Sequence, residues 1–330
     1  MLVLTKADVE QCFSMRDAIE ADKAAMMIYS KGQATVPLRT NLAVPEANGQ
    51  SLYMPAYATD QEQYLGVKIV SSYPNNLEKG LPTIPATMVV LDPATGIVDA
   101  LIDGTYLTQL RTGAIQGAAT ELMANADAEI GALIGTGGQA QGQLEAMLTV
   151  REFKEIRIFD VDQERAKAFA QAMTETFTNF KATFIPCATA QAAVSGADVI
   201  TTVTTSKYPT FASEDVKAGA HINGVGAYTP EMKEVPREII KKADCVIFDT
   251  MAGVLAEAGD FIEPLAAGFV EKSAYQGELG QLLLAEIKGR QKGTDITIFK
   301  TVGSAVLDVV CAQEIVNKAR ALGIGQEITL

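Results

Sequence analysis

Apolar and polar positions along this chain follow two successive regimes. From 14 to 31 apolar side chains return at helical spacing, and Gly32 marks the stop. The stretch that follows changes period: 34–44, 51–57, 64–73, 86–91 and 97–102 read as strands, separated by Asn-Gly, Pro-Asn-Asn and Pro-Ala-Thr-Gly turns. Consecutive strands on tight turns predict a mixed α+β domain with a largely antiparallel sheet. A long helical pattern over 105–124 leads into the second regime. There, apolar strands at 129–134, 155–159, 197–202, 221–225, 245–249 and 296–300 alternate with helices. This alternation predicts an α/β Rossmann domain with a doubly wound parallel sheet. A final patterned helix over 304–322, ahead of Gly323, is expected to return to the first domain. The expected division is 1–117 with 305–330 for the substrate and dimerisation domain, and 118–304 for the cofactor domain. A chain of 330 residues is long for a single core and suits two.

The richest local signal follows the strand at 129–134. Gly135-Thr-Gly137-Gly-Gln-Ala140 is a G-x-G-x-x-A turn. Its chemistry is specific: Gly135 allows the sharp turn, Gly137 leaves room for a pyrophosphate against the backbone, and Ala140 lets helix and strand pack closely. Gly138 and Gln139 complete the turn, and the free N–H groups of the helix start face the phosphates. The next strand ends at Asp160, about 20 residues on, where a carboxylate accepts from a ribose 2′-OH and repels a 2′-phosphate. The pattern predicts a dinucleotide site that favours NAD(H) over NADP(H), with Arg157 and Arg165 as nearby cations that moderate the preference. The competing role for Asp160 is to cap the helix that follows.

Composition narrows the function class. Hydrophobic residues make up 48% and charged residues 20%, as in a globular protein, and the net charge of −13 argues against nucleic-acid binding. No leader-like segment and no membrane-length apolar run is found, so the reading is a cytoplasmic protein that does not bind membranes. Cys12, Cys187, Cys245 and Cys311 form no C-x-x-C pair and read as free buried thiols, and the lone histidine, His221, reads as a core residue. No metal site is expected.

Three cations stand out because their surroundings are apolar: Arg39, Lys68 and Arg111. In an alternating strand Lys68 shares a face with Gly66 and Val70, although a lone strand lysine is ordinarily a solvated edge residue. Arg111 falls near the buried face of its helix and calls for an anionic partner, either a protein acid or a ligand carboxylate. With a dinucleotide domain alongside, the three cations suggest a small anionic substrate.

These residues sit in motifs that span almost the whole chain: Tyr64-Leu-Gly-Val-Lys-Ile-Val, Gly80-Leu-Pro-Thr83, Leu101-Ile-Asp-Gly, Leu107-Thr-Gln-Leu-Arg-Thr-Gly-Ala, Asn223-Gly-Val-Gly-Ala, Glu257-Ala-Gly-Asp260, Gly277-Glu-Leu-Gly and Phe299-Lys-Thr-Val-Gly-Ser-Ala-Val-Leu-Asp308. In them the sequence resembles the ornithine cyclodeaminase and mu-crystallin family. That resemblance implies a homodimer acting on a small amino or imino acid with a nicotinamide cofactor. Arg39 and Arg111 match carboxylate-binding arginines, Lys68 the active-site lysine and Thr83 a nearby polar contact. Thr112, Val203, Val225 and Gly226 are further candidates for cofactor contact. Where cyclodeaminases carry a catalytic aspartate this chain has Tyr228, whose phenol is neutral at pH 7; Glu231 and Asp260 are the acids that could replace it. The favoured expectation is therefore an NAD(P)H-dependent ketimine reductase of the 1-pyrroline-2-carboxylate type. Ornithine cyclodeaminase, an alanine dehydrogenase-type oxidoreductase and a ligand-binding role like that of mu-crystallin are the alternatives.

Overall fold

A computed structural model describes residues 1–329. Two short helices open the chain after strand β1 (Leu2–Leu4): α1 (Lys6–Cys12) and α2 (Met15–Ser30). Each starts at a reciprocal cap, Thr5 with Asp8 and Ser14 with Asp17, in which hydroxyl and carboxylate satisfy the free N–H groups of the first turn. Strands β2 (Ala34–Thr35), β3 (Thr40–Val44), β4 (Gly49–Thr59), β5 (Gln63–Ser72), β6 (Ala86–Leu91) and β7 (Val98–Asp103) follow, and then helix α3 (Gly104–Met123).

The second regime is β8 (Ile130–Ile134), α4 (Ala140–Val150), β9 (Glu155–Phe159), α5 (Gln163–Thr176), β10 (Thr183–Pro186), α6 (Ala190–Val194), β11 (Val199–Thr202) and β12 (His221–Gly224). It continues through α7 (Arg237–Lys242), β13 (Cys245–Phe248), α8 (Met251–Glu257), α9 (Gly259–Ala266), β14 (Gly277–Glu278), α10 (Leu279–Leu283) and β15 (Thr297–Lys300). The chain ends with α11 (Ala305–Leu322) and β16 (Gln326–Glu327). Two compact units result, Met1–Arg111 with Ser304–Leu330, and Thr112–Gly303.

In the first unit the strands run in the order β16-β1-β7-β6-β5-β4-β2, with β3 paired on β4. All pairs are antiparallel except β1 with β7. That exception comes from the N-terminal strand, too short at three residues to carry a sequence period. The expected single strand at 34–44 is instead two, β2 and β3, because Pro37 cannot donate to a ladder; Arg39 lies in the irregular stretch between them. Helix α11 packs on β4, β5 and β6, with α2 along its other side. Register then lines up Met54, Lys68, Met88 and Ile102 across four strands, all buried. Lys68 thus occupies a place in the core layer that its neighbours fill with apolar side chains, not a solvated edge.

The second unit holds an eight-stranded, wholly parallel sheet in the order β10-β9-β8-β11-β12-β15-β13-β14. Strand order reverses between β8 and β11, the switch point at whose carboxyl edge doubly wound sheets open a crevice. Apolar clusters cover the two faces, one around Leu144, Met147 and Ile156, the other around Phe248, Phe261 and Ile298. Among the described residues no helix is long and apolar enough to cross a membrane.

Candidate active site and cofactor cleft

Strand β5 brings Lys68 to the buried face, α3 brings Arg111, and α11 brings Asp308. The Lys68 Nζ donates to Asp308 Oδ1 at 2.6 Å, and Arg111 Nε lies 2.9 Å from the same oxygen. Lys68 and Asp308 are 1% and 0% exposed. Burial, then the charge of Arg111 and that of Arg39, weaken the hold of Lys68 on its proton, while Asp308 opposes them; the result is a lysine pushed down to about 7. Arg39 acts through charge from its half-buried place before β3.

The cluster has unmet hydrogen-bonding capacity. Arg111 Nη1 and Asp308 Oδ2 are buried without a hydrogen-bond partner, and the Nε contact is close but poorly aimed. On α2, Asp22 is wholly buried with neither oxygen bonded, and burial pushes its carboxyl well above the usual range despite the pull of Arg111. Asp22 therefore favours its neutral form, and Asp308 is the acid in direct contact with the cations. The lysine and arginines were legible in sequence, but Asp22 and Asp308 were not assigned roles. For Asp308 a signal existed, an acid inside the apolar run Ala305-Val-Leu-Asp-Val-Val.

In the second unit a cavity of about 480 Å³ opens at the switch point, lined among others by Gly135, Gly137, Asp160, Arg165 and Val203. Gly135 takes a φ of +100°, and a side chain there would meet the Val203 carbonyl at 2.7 Å, so only glycine makes this turn. Beside Gly137 and Gly138 there is open space, and no side chain caps the start of α4. Open space against the backbone at the start of a helix is what a dinucleotide pyrophosphate requires. Gln139 is half-buried, its Oε1 buried without a partner, and Ala140 packs fully inside.

Asp160 stands at the end of β9. Its Oδ2 accepts from the Thr136 N–H and hydroxyl and its Oδ1 from the Asp162 N–H, and these bonds hold the carboxyl below its ordinary range against the effect of burial. The capping role belongs to Asp162, which accepts from Glu164 and Arg165 at the start of α5. Arg157 is tied to Glu155 and the Ser195 carbonyl, whereas Arg165 lines the cavity and reaches the Thr136 carbonyl.

The carboxyl ends of β11 and β12 are braced from below by Glu234, which sequence reasoning passed over. This fully buried carboxylate accepts from the Thr204, Gly226 and Ala227 N–H groups at 2.5, 2.6 and 2.9 Å. Gly226 sits so close that a Cβ would fall 2.1 Å from the Thr204 carbonyl oxygen. Lys300 and Asp260 complete a buried charge cluster, with Nζ 3.9 Å from Asp260 Oδ2. Asp260 is thus engaged inside this unit, and Glu231 is exposed.

The remaining candidates fall as follows. Val203 and Val225 belong to one apolar cluster, Tyr228 is half-buried against the other, and Thr112 is half-buried on α3. Thr83 lies in the loop before β6, where its carbonyl accepts from the Tyr73 N–H. His221 is buried between Thr297 and Asn223, and burial drives it down to about 3, so it is a neutral core histidine. The four cysteines are free and buried.

Comparison with known proteins agrees with this arrangement. The model of the ornithine cyclodeaminase/mu-crystallin family matches residues 1–323. A Bacillus cereus Delta(1)-pyrroline-2-carboxylate reductase is 36% identical over 99% of each chain. The Thermococcus litoralis Delta(1)-pyrroline-2-carboxylate reductase, solved with NADH and L-proline, superposes with a TM-score of 0.93 at 36% identity, covering 99% of this chain and 100% of that one. An archaeal alanine dehydrogenase dimer with bound NAD gives a TM-score of 0.90 at 33% identity, covering 100% and 99%. The sequence motifs, the discontinuous first unit and the parallel-sheet second unit therefore have one explanation: this chain belongs to the ornithine cyclodeaminase/mu-crystallin family.

Proposed function

We propose that this chain is an NADH-dependent reductase of small cyclic α-imino acids, of which 1-pyrroline-2-carboxylate is the type. The observation that carries the reading is Arg111, a buried guanidinium with an unpartnered Nη1, fixed beside a lysine that titrates near neutral pH. An unmet cationic donor in a dry setting asks for an anion, and an α-carboxylate supplies it. Arg111 and Arg39 would hold the carboxylate and so orient the adjacent C=N bond. Lys68 would give its proton to the imine nitrogen, making the ring carbon a better hydride acceptor. When bound, NADH supplies that hydride, and the sum is C=N plus hydride plus proton giving the saturated amine. Thr83 is assigned to the same pocket, and Tyr228 is kept as a further candidate residue for the reaction on the family resemblance.

The cofactor residues in this proposal are Gly135, Gly137, Gly138, Gln139 and Ala140 for the pyrophosphate, and Asp160 for the ribose, which favours NADH over NADPH. Thr112, Val203, Val225 and Gly226 complete that set. The related reductase that binds NADH with L-proline supports both halves of the reading. Assembly as a homodimer belongs to the same proposal, after the archaeal relative; sedimentation as a monomer would remove that part.

The deciding assay follows NADH loss with 1-pyrroline-2-carboxylate, ammonia release from ornithine at trace NAD⁺, and NAD⁺ reduction with L-alanine, all on one preparation. Stoichiometric NADH loss with proline formation, and little turnover in the other two, is the expected result. Proline and ammonia from ornithine would give the site to cyclodeamination, and preferred turnover of alanine would give it to an alanine dehydrogenase.

A further inference from the structure

The reaction written above uses Lys68, Arg39 and Arg111, yet two of these three cations are held by one atom that it does not use. Asp308 Oδ1 takes the Lys68 ammonium at 2.6 Å and faces Arg111 Nε at 2.9 Å. The three groups come from β5, α3 and α11, three elements distant in sequence. We propose that Asp308 is a positioning residue that seats both cations on a single carboxylate oxygen and keeps the proton on Lys68 until the substrate nitrogen takes it. This rests on the reading of Lys68 as the proton donor.

The electrostatics of the surroundings make such a residue necessary. Two arginines act on Lys68, Arg111 from α3 and Arg39 from the stretch before β3, and the strand neighbours Met54 and Met88 bring no charge. On α2, Asp22 favours its neutral form, and the Cys311 thiol, one turn beyond Asp308, is pushed well above its usual range by burial. Asp308 is the acid that counters burial and the two arginines. Without it the ammonium would face two like charges in a medium where each is poorly screened, and would shed its proton. The same oxygen occupies the Nε side of Arg111 and so leaves Nη1 unpartnered for a ligand carboxylate.

The test reads Lys68 directly. In chain carrying ¹³C-labelled lysine, the Lys68 ε-carbon signal is identified by its loss in Lys68→Met and titrated by NMR, with and without Asp308→Asn. A midpoint near 7 in the parent chain, falling by about one to three units in Asp308→Asn, is expected. The imino acid KM should rise and kcat fall with it, while NADH affinity measured by fluorescence stays unchanged. An unmoved Lys68 midpoint overturns the proposal. Should Asp308→Asn fail to fold, Asp308→Glu decides: it keeps the charge but shifts the oxygen by a methylene, so kcat should drop tenfold or more with the midpoint held near 7. Unchanged kcat in that variant overturns the positioning role. Because the titration needs no substrate, a chain that reduces no imino acid but shows the shifted midpoint would sink the functional reading and leave the role of Asp308 standing.

Discussion

Two lysines lie on strands of this molecule with almost no exposure, and they differ in what surrounds their charge. Lys68 on β5 is hydrogen-bonded to Asp308 at 2.6 Å, while Lys300 on β15 has no hydrogen-bond partner among the described residues and stands 3.9 Å from Asp260. Around Lys300 the carboxylates are largely taken up by backbone: Glu234 accepts three N–H groups, Asp249 holds Thr301, Val302 and Gly303, and Asp260 makes longer contacts to Glu234 and Val235. Unmet groups occur in both places, Lys300 Nζ and Asp260 Oδ1 in one and Arg111 Nη1 and Asp308 Oδ2 in the other, but around Lys68 two cations meet one carboxylate oxygen, at 2.6 and 2.9 Å. A buried lysine therefore marks only a nearby counter-charge. What separates the two is the partner: Lys68 is tied to a carboxylate oxygen that a second cation also faces, whereas the Glu234 carboxylate beside Lys300 is engaged with backbone N–H groups. On the proposed reading Lys68 serves chemistry and Lys300 architecture.

One substitution made in both places tests this contrast. Lys68→Met completes an apolar row with Met54, Met88 and Ile102, and Asp308 keeps Arg111 as partner. Removing one partner of a buried pair is costly where it strands the other charge, and here Arg111 stays beside Asp308 to limit that cost. Turnover of the imino acid should fall by about 10³-fold, the scale of general-acid catalysis, with a smaller loss of melting temperature than in Lys300→Met. Retention of more than a tenth of the parent kcat/KM would remove Lys68 from the reaction.

Lys300→Met should do the reverse. It takes the counter-charge from Glu234 and Asp260, whose carboxyls burial already pushes up, and strands them in the core. A loss of about 3 kcal/mol is expected, which lowers the melting temperature by roughly 10 °C in a unit of this size. Measured well below the transition, kcat should change by only a fewfold. Unchanged melting would mean that the two acids are already neutral and that Lys300 is not their counter-ion.

The two clusters were unequally legible in sequence. Lys68 and Arg111 announced themselves because charge interrupts an apolar period, and the strand at 64–73 even gave the correct face through Gly66 and Val70. Their acids were harder: Asp308 shares that signature, but Asp22 sits among Glu20, Asp17 and Lys23 on a helix where charge is ordinary. Glu234 lies in Lys-Glu-Val-Pro, outside any periodic element, and works through three N–H groups that no pattern of residue types can reveal. The same limit explains the fold. Long strands and helices were visible in their periods, and the discontinuous first unit followed from the last helix. Strands of two or three residues such as β1, β2 and β14 carry too few positions for a period. The insertion of β15 between β12 and β13 is a property of tertiary pairing alone.

The smallest expected effect concerns the other face of the comparison, a carboxylate that the protein satisfies only in part. Asp160 Oδ2 is filled by the two Thr136 donors, but Oδ1 receives only the Asp162 N–H and keeps a lone pair for a ribose hydroxyl. In Asp160→Ala the loss of one charge-assisted hydrogen bond should weaken NADH by about tenfold. NADPH should bind as well or better, since the repulsion of its 2′-phosphate disappears and Arg165 still lines the same cavity. Fluorescence titration of both nucleotides gives the ratio directly. A preference that does not move would show that Asp160 serves the turn at Thr136 and not the ribose, making it a second Glu234: a carboxylate whose whole capacity is spent on holding backbone in place.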